Sequence, residues 1–450
     1  MRPGRGAGGL PQEPGVSRRS VLRGLGAGAL ATGAGGVLAA CSSGASSSAG
    51  SAAGGTIRIG FVTPLSGPLS AYSSGDRFVV STIKATPQYK NGFTAGGQNY
   101  KIDILVADSQ SDPNLASAAA RNLVLNDNVD LLLATSAPET TIPVAAVAEV
   151  QGIPCVSTVC PWESWYAGLG GNPAKPTKAF TYSTMFFFGL KQYQACFVPM
   201  WKRIPAANKN VACMYPDDPD GVTFRGGFIP LIKESGYKAV DGGAYTDGIT
   251  DYTAMIIKFL TKNAQYFSNC QLPPDFTTFW KQAHQQSWKP RLATVSKVLQ
   301  FPADTVKLGS LVNNVATNSW WGPYMPNKSS LTGQTASALA AAYEAQTGKQ
   351  WVQSIGSSYS LFEVAHQALT SVSDPHDTKA VAAAIHRVNY TGMCGTLNFA
   401  GGPVPGVAVI PPVGVQWKKG TGKHPYELKV VDNSLNKRVP IQAALEPTNR

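Results

Sequence analysis

Catalysis by a local motif would need a nucleophile beside a base, or clustered metal ligands, and the chain offers neither as a contiguous signature. Its five histidines, His284, His366, His376, His386 and His424, stand apart from one another. None belongs to a His-Glu-x-x-His pair, and no Gly-x-Ser-x-Gly elbow or phosphate-loop lysine occurs. His366 and His386 fall at helical spacing from apolar residues, as helix-face histidines do. The run Asp217-Asp218-Pro219-Asp220-Gly221 opens like a calcium loop but lacks the distal bidentate glutamate, so a helix-capping turn is expected there. Cys155 and Cys160 have no nearby histidine and make no zinc knuckle. These residues imply no cofactor, no metal and no enzyme, leaving a secreted hydrolase as the last of the functional readings.

One cysteine does carry chemistry by its position. Ser17-Arg18-Arg19-Ser20-Val21-Leu22-Arg23 has the form of a twin-arginine export motif, followed by an uncharged Gly/Ala-rich stretch to Ala40. Leu38-Ala39-Ala40-Cys41 then has the form of a lipobox, in which Cys41 is acylated and becomes the new N-terminus. Two acyl chains, at about 0.8 kcal/mol per buried CH₂, hold a domain to a membrane without a spanning helix. Residues 1–40 are therefore read as a signal peptide and 41–55 as a Ser/Gly tether. The protein is placed at the cell membrane, lipid-anchored on the extracytoplasmic side.

The formal charge of +12 weakens under this division, because the first forty residues hold five arginines and one glutamate and leave +8 on the rest. The remaining basic residues are scattered, without the aromatic interleaving of a nucleic-acid surface, so no nucleic-acid partner is expected. The Gly-rich string at residues 4–9 follows no strand and is no dinucleotide site. Six cysteines remain, at 155, 160, 196, 213, 270 and 394. In an exported chain they allow fifteen disulfide connectivities or six buried thiols.

From Thr56 onward, β-rich apolar runs alternate with amphipathic segments, the pattern of parallel sheets with crossover helices. Strands are expected at 57–62, 101–106, 129–133, 153–157, 210–214, 237–243, 265–268 and 291–295, with strand-like runs at 307–312, 415–418 and 426–431. Helices are expected at 76–86, 113–125, 142–150, 190–203, 222–235, 252–262, 276–286, 336–346, 359–371 and 378–388. Two consecutive series of one type predict two lobes.

Ile57-Arg58-Ile59-Gly60-Phe61-Val62-Thr63-Pro64-Leu65-Ser66-Gly67-Pro68 resembles the opening strand and loop of the leucine/isoleucine/valine-binding family of periplasmic solute receptors. Asp108 to Pro113, Ala145 to Pro154 and Tyr215 to Asp218 follow in the order that family would have them. The resemblance spans most of residues 56–420. It implies an α/β fold of two doubly wound parallel-sheet lobes joined by a three-strand hinge, with the ligand in the cleft and closure by hinge bending. The N-terminal lobe would comprise 56–183 and 316–403, and the C-terminal lobe 184–315 and 404–450.

Carried over by position, the resemblance implies ligand contacts from Ser66 and Tyr72 after the first strand. It adds Ser136, Ala137, Glu139 and Thr140 in a second loop, and Thr158, Val159 and Trp162 in a third. Pro138, Glu139 and Pro161 depart from the family's hydroxyl-rich pattern. In the second lobe, Ser296 and Lys297 stand where the family's amino-acid receptors place an acid for the ligand's ammonium. A buried cation at Lys297 would favour an anionic solute, such as a carboxylate with an aromatic or aliphatic body. The implied function is solute binding, amino acid-like or carboxylate/aromatic acid, for an ATP-binding-cassette permease. A ligand sensor for a membrane partner is the alternative, and the protein is expected to be a monomer.

Overall fold

The computed structural model describes residues 52–448; the export motif, Cys41 and most of the tether lie outside them. The first sheet collects β1 (Ala52–Thr63), β2 (Phe93–Ala95), β3 (Gln98–Asp108), β4 (Leu131–Thr135), β5 (Cys155–Thr158) and β6 (Ser183–Phe186). The second begins with β7 (Asn210–Met214), β8 (Lys238–Asp241), β9 (Tyr266–Asn269), β10 (Leu292–Val295) and β11 (Ala316–Ser319). A short hairpin, β12 (Asn389–Gly392) and β13 (Gly395–Asn398), follows. Then β14 (Val407–Ala408) returns to the first sheet, and β15 (Val413–Lys419) and β16 (Tyr426–Asp432) close the second.

Spatial order is β14-β6-β5-β4-β1-β3-β2 in the first sheet and β16-β15-β11-β10-β9-β7-β8 in the second. Both are parallel except for antiparallel edges, β2 on one and the β15–β16 pair on the other. The central strands β4, β5, β9, β10 and β11 are buried along their whole length. Helices on both faces cause this, since each covers a side that an open antiparallel sheet would leave to water. On the first sheet the deepest is Ser354–Leu369, buried along most of its length. On the second, Leu190–Arg203 turns Tyr193, Phe197 and Trp201 inward.

Several expected elements fall where the periodicity placed them, among them helices Pro113–Leu125 and Leu190–Arg203 and strand Asn210–Met214. Others differ for local reasons. The run at 307–312 is no strand: Pro302 opens a helix to Leu308 that runs into a 3-10 turn, Gly309–Val312, and the strand follows at β11. The helix expected at 142–150 begins four residues earlier, with Pro138 in its first turn. The helix at 222–235 is broken by a π-helical turn, Phe224–Phe228.

The exchange points between sheets also shift. β6 remains in the first sheet to Phe186, β11 in the second to Ser319 and β14 in the first to Ala408, each a few residues beyond the expected Ser183, Ala316 and Val404. Among the described residues no helix is long and apolar enough to cross a membrane, and the six cysteines are buried and free.

Candidate functional site

The C-terminal ends of parallel strands leave outward-pointing loops, and here those of the two sheets face each other. Positive-φ residues without glycine's freedom crowd these loops: Ser136 and Ala137 after β4, Val159 after β5, and Lys297 and Leu299 after β10. A β-branched residue such as Val159 (φ 60°) is costly there, and strain of this kind persists where surrounding structure enforces a loop shape.

At the centre stands Lys297, its side chain 5% exposed. Its Nζ lies 3.0 Å from Glu139 Oε1, 2.9 Å from Asp218 Oδ2 and 3.0 Å from Asp220 Oδ2. Pro138 explains the first contact: by starting the helix Pro138–Gln151 it puts Glu139 in the first turn, where the helix dipole favours a carboxylate. Asp218 explains the second. Its Oδ1 caps the next helix by accepting from Gly221 N at 2.6 Å, which leaves Oδ2 for the ammonium. Asp220 is held on its other side by Ser164 Oγ at 3.0 Å.

Burial works against the Lys297 charge, but Asp218, Asp220 and Glu139 outweigh it and hold the ammonium well above the ordinary lysine range. Three carboxylates compete for that one cation. Burial pushes the Asp220 carboxyl up to about 6, Lys297 opposes the rise, and Asp218 and Glu139 reinforce it. Asp247 is pushed up to about 7 by burial and by Asp218.

Tyr72 seals the cleft from the first lobe. Its hydroxyl donates to the Lys297 carbonyl at 2.5 Å and lies 3.1 Å from Gln300 Oε1, which shares the same proton, and its ring packs edge-on against Phe301 at 4.5 Å. Tyr72, Phe187, Tyr193, Phe224, Ser296 and Lys297 border a residual cavity of about 20 Å³, room for roughly one water. A larger groove of about 980 Å³ passes Trp162, Leu190, Val222 and Val409. The smaller cavity is the stronger site because polar groups converge there across the two lobes, Tyr72 on Gln300 and Glu139 on Lys297.

The residues singled out in the sequence divide accordingly. Tyr72, Ala137, Glu139, Val159 and Lys297 meet around the cleft. Ser66 does not: it is exposed and donates to Asp108 at 2.7 Å. Trp162 lines the larger groove instead of facing Tyr72, and its neighbour Trp165 is core.

Ser136, Thr140 and Thr158 lie near the cleft but are committed elsewhere. Ser136 Oγ pairs with Thr135 Oγ1 at 3.1 Å, Thr140 Oγ1 with Ser109 Oγ at 2.8 Å, and Thr158 Oγ1 donates to the Phe186 carbonyl at 2.7 Å. Lys297 is not the uncompensated cation that the sequence suggested, so the argument from it to an anionic solute fails. Asp218 and Asp220 were legible only as a capping turn, a role Asp218 fills while also holding the lysine.

A model of the family described as periplasmic binding protein matches residues 56–420. The chain belongs to the periplasmic binding protein family. Members of this family bind solutes outside the cytoplasm, and this periplasmic binding protein is accordingly a binding protein and not an enzyme. A leucine-binding protein from Thermotoga maritima shares its fold at 18% identity over 84% of this chain and 98% of that one, with a TM-score of 0.68. The substrate-binding protein of a branched-chain amino acid transporter from Streptococcus pneumoniae, solved with isoleucine, matches at 17% over 84% and 99%, TM-score 0.64. A solute-binding protein of an ABC transporter from Rhodopseudomonas palustris, solved with 3,4-dihydroxybenzoic acid, matches at 16% over 83% and 96%, TM-score 0.63. At these identities the likeness establishes the type I, two-lobed architecture.

The raised Asp220 carboxyl has a stability consequence. Between its ordinary 3.8 and about 6 the folded protein keeps a proton that the unfolded chain has released. Folding takes up a proton in that window, so acidification favours the fold and the gain disappears as pH rises through about 6. His284, His366 and His386, held low by burial, act in the opposite sense but are common to wild type and variant. Asp220→Asn should therefore lose less stability than wild type between pH 5 and pH 7.5, by about 1 kcal/mol, since roughly one unit of the window lies above pH 5. Urea midpoints at the two pH values measure this, and equal slopes would contradict it.

Proposed function

We propose that this periplasmic binding protein captures a small organic solute between its lobes and delivers it to the permease of an ATP-binding-cassette importer in the cytoplasmic membrane. The observation that carries the reading is the meeting of Tyr72 and Glu139 from one lobe with Asp218, Asp220, Lys297 and Gln300 from the other. Residues more than 150 positions apart converge there on one small cavity at the ends of both sheets. Solute held by one lobe and enclosed by the other favours the closed form by its differential affinity for it. The closed form is then what the permease recognises.

The twin-arginine motif and lipobox support export and a lipid anchor on Cys41, with the tether spanning from membrane to first strand. Cell fractionation tests the anchor: Cys41→Ala should move the protein from the membrane to the soluble extracytoplasmic fraction. Retention in the membrane would refute it. The transport reading is tested by deleting the gene in its native cell and measuring uptake of a solute that compacts the purified protein in X-ray scattering. Unchanged uptake would overturn that reading.

A further inference from the structure

The cleft holds more negative charge than its own cation cancels. Each N–H of the Lys297 ammonium has one carboxylate within reach, Glu139, Asp218 and Asp220, so three negative groups surround one positive group in a site nearly closed to water. Two acceptor-capable atoms are left over. Glu139 Oε2 is buried without a hydrogen-bond partner, and so is Ser296 Oγ, on a fully buried residue that lines the cavity. The cavity that Ser296 borders is also lined by Tyr72, Phe187, Tyr193 and Phe224, and aromatic faces attract cations.

The loops after β4 and β5 spend on the protein itself the hydroxyls that could grip a carboxylate. Ser136 N donates to the Thr158 carbonyl at 3.2 Å and Ala137 N to the Val159 carbonyl at 2.9 Å. The hydroxyls of Ser136, Thr140 and Thr158 are engaged by Thr135, Ser109 and Phe186. An entering anion would meet Glu139 with no uncommitted hydroxyl on these loops to offset it.

We propose that the solute is an organic cation, an amine with an aromatic or aliphatic body and no required carboxylate, whose charge is read by Glu139, Asp218 and Asp220. The inference deepens the solute-capture reading and rests on it. It holds for either position of Lys297. With the lysine in place the carboxylates still lack positive charge; with the lysine swung aside, the amine inherits all three.

The test is isothermal titration calorimetry on the full chain with matched probes. The amines are 2-phenylethylamine, isopentylamine and putrescine. The comparison arms are the acids 3-phenylpropanoate and 4-methylpentanoate, the zwitterions phenylalanine and leucine, and the neutral 2-phenylethanol. At least one amine should bind tenfold or more tightly than its acid, zwitterionic and neutral counterparts and should compact the protein in X-ray scattering. Glu139→Gln and Asp220→Asn should each weaken that amine tenfold or more, with melting curves taken without solute reporting whether each variant is folded. Preferential binding of an acid or zwitterion would overturn the cation assignment and leave solute capture standing. Binding of no probe, with no compaction, would overturn both.

Discussion

Lys297→Met should lower the unfolding free energy by about 3–5 kcal/mol, the usual cost of removing one partner from a buried ionic cluster. The cost comes from what is left behind. Glu139, Asp218 and Asp220 would face one another across a nearly dry gap, with side chains 15%, 9% and 5% exposed, and each would lose the one cation that pairs with it among the described residues. Methionine fills much the same volume, so a cavity contributes little and the loss is mainly electrostatic. That distinction can be measured. Lys297 opposes the burial-driven rise of the Asp220 carboxyl, so without the lysine acid protonates Asp220 more readily and the deficit between variant and wild type should shrink from pH 7.5 to pH 5, whereas a packing defect would be indifferent to pH. Chemical denaturation at both pH values decides between them, and a deficit under 1 kcal/mol at pH 7.5 would show that the cluster is not coupled as its geometry indicates.

Gly221→Ala should be nearly as damaging through the backbone. A methyl group at Gly221 would fall within van der Waals contact of the Pro216 carbonyl oxygen and the rest of its main chain, which cannot move aside as a flexible side chain would. The same residue supplies the N–H that fixes Asp218 at 2.6 Å. Relief of the clash must therefore pull both Asp218 and Asp220 off Lys297. We expect a loss of about 1–3 kcal/mol from overpacking and, more tellingly, loss of solute-driven compaction in a protein that remains folded. Circular dichroism reads the fold and X-ray scattering the compaction. Retained compaction would mean that the Asp218–Asp220 turn does not govern the cleft.

These two residues also mark how far a single sequence could be read. Period and punctuation exposed the scaffold, since Pro113 opens a helix and β4 is apolar from Leu131 to Ala134, as a doubly covered strand is expected to be. The loop positions of Tyr72, Glu139 and Lys297 followed from resemblance, but their contacts did not. Tyr72 and Lys297 are 225 residues apart, and no local pattern announces that one hydroxyl will bond the other's carbonyl. The charge of Lys297 was legible and its neutralisation was not, because Asp218 and Asp220 already had a sufficient local explanation as a cap. Ser66 misled for the opposite reason: a hydroxyl beside the first strand can turn toward either the cleft or Asp108, and the nearer carboxylate took it.

The six enclosed thiols bear on how such a protein reaches its station. Burial pushes Cys155 and Cys213 up to about 12 and raises Cys160, Cys196, Cys270 and Cys394 as well, so all six stay protonated and unreactive at physiological pH. A fold that asks nothing of an oxidant is the same fold on either side of a membrane. Its six core cysteines therefore set no redox condition on the compartment in which the chain folds.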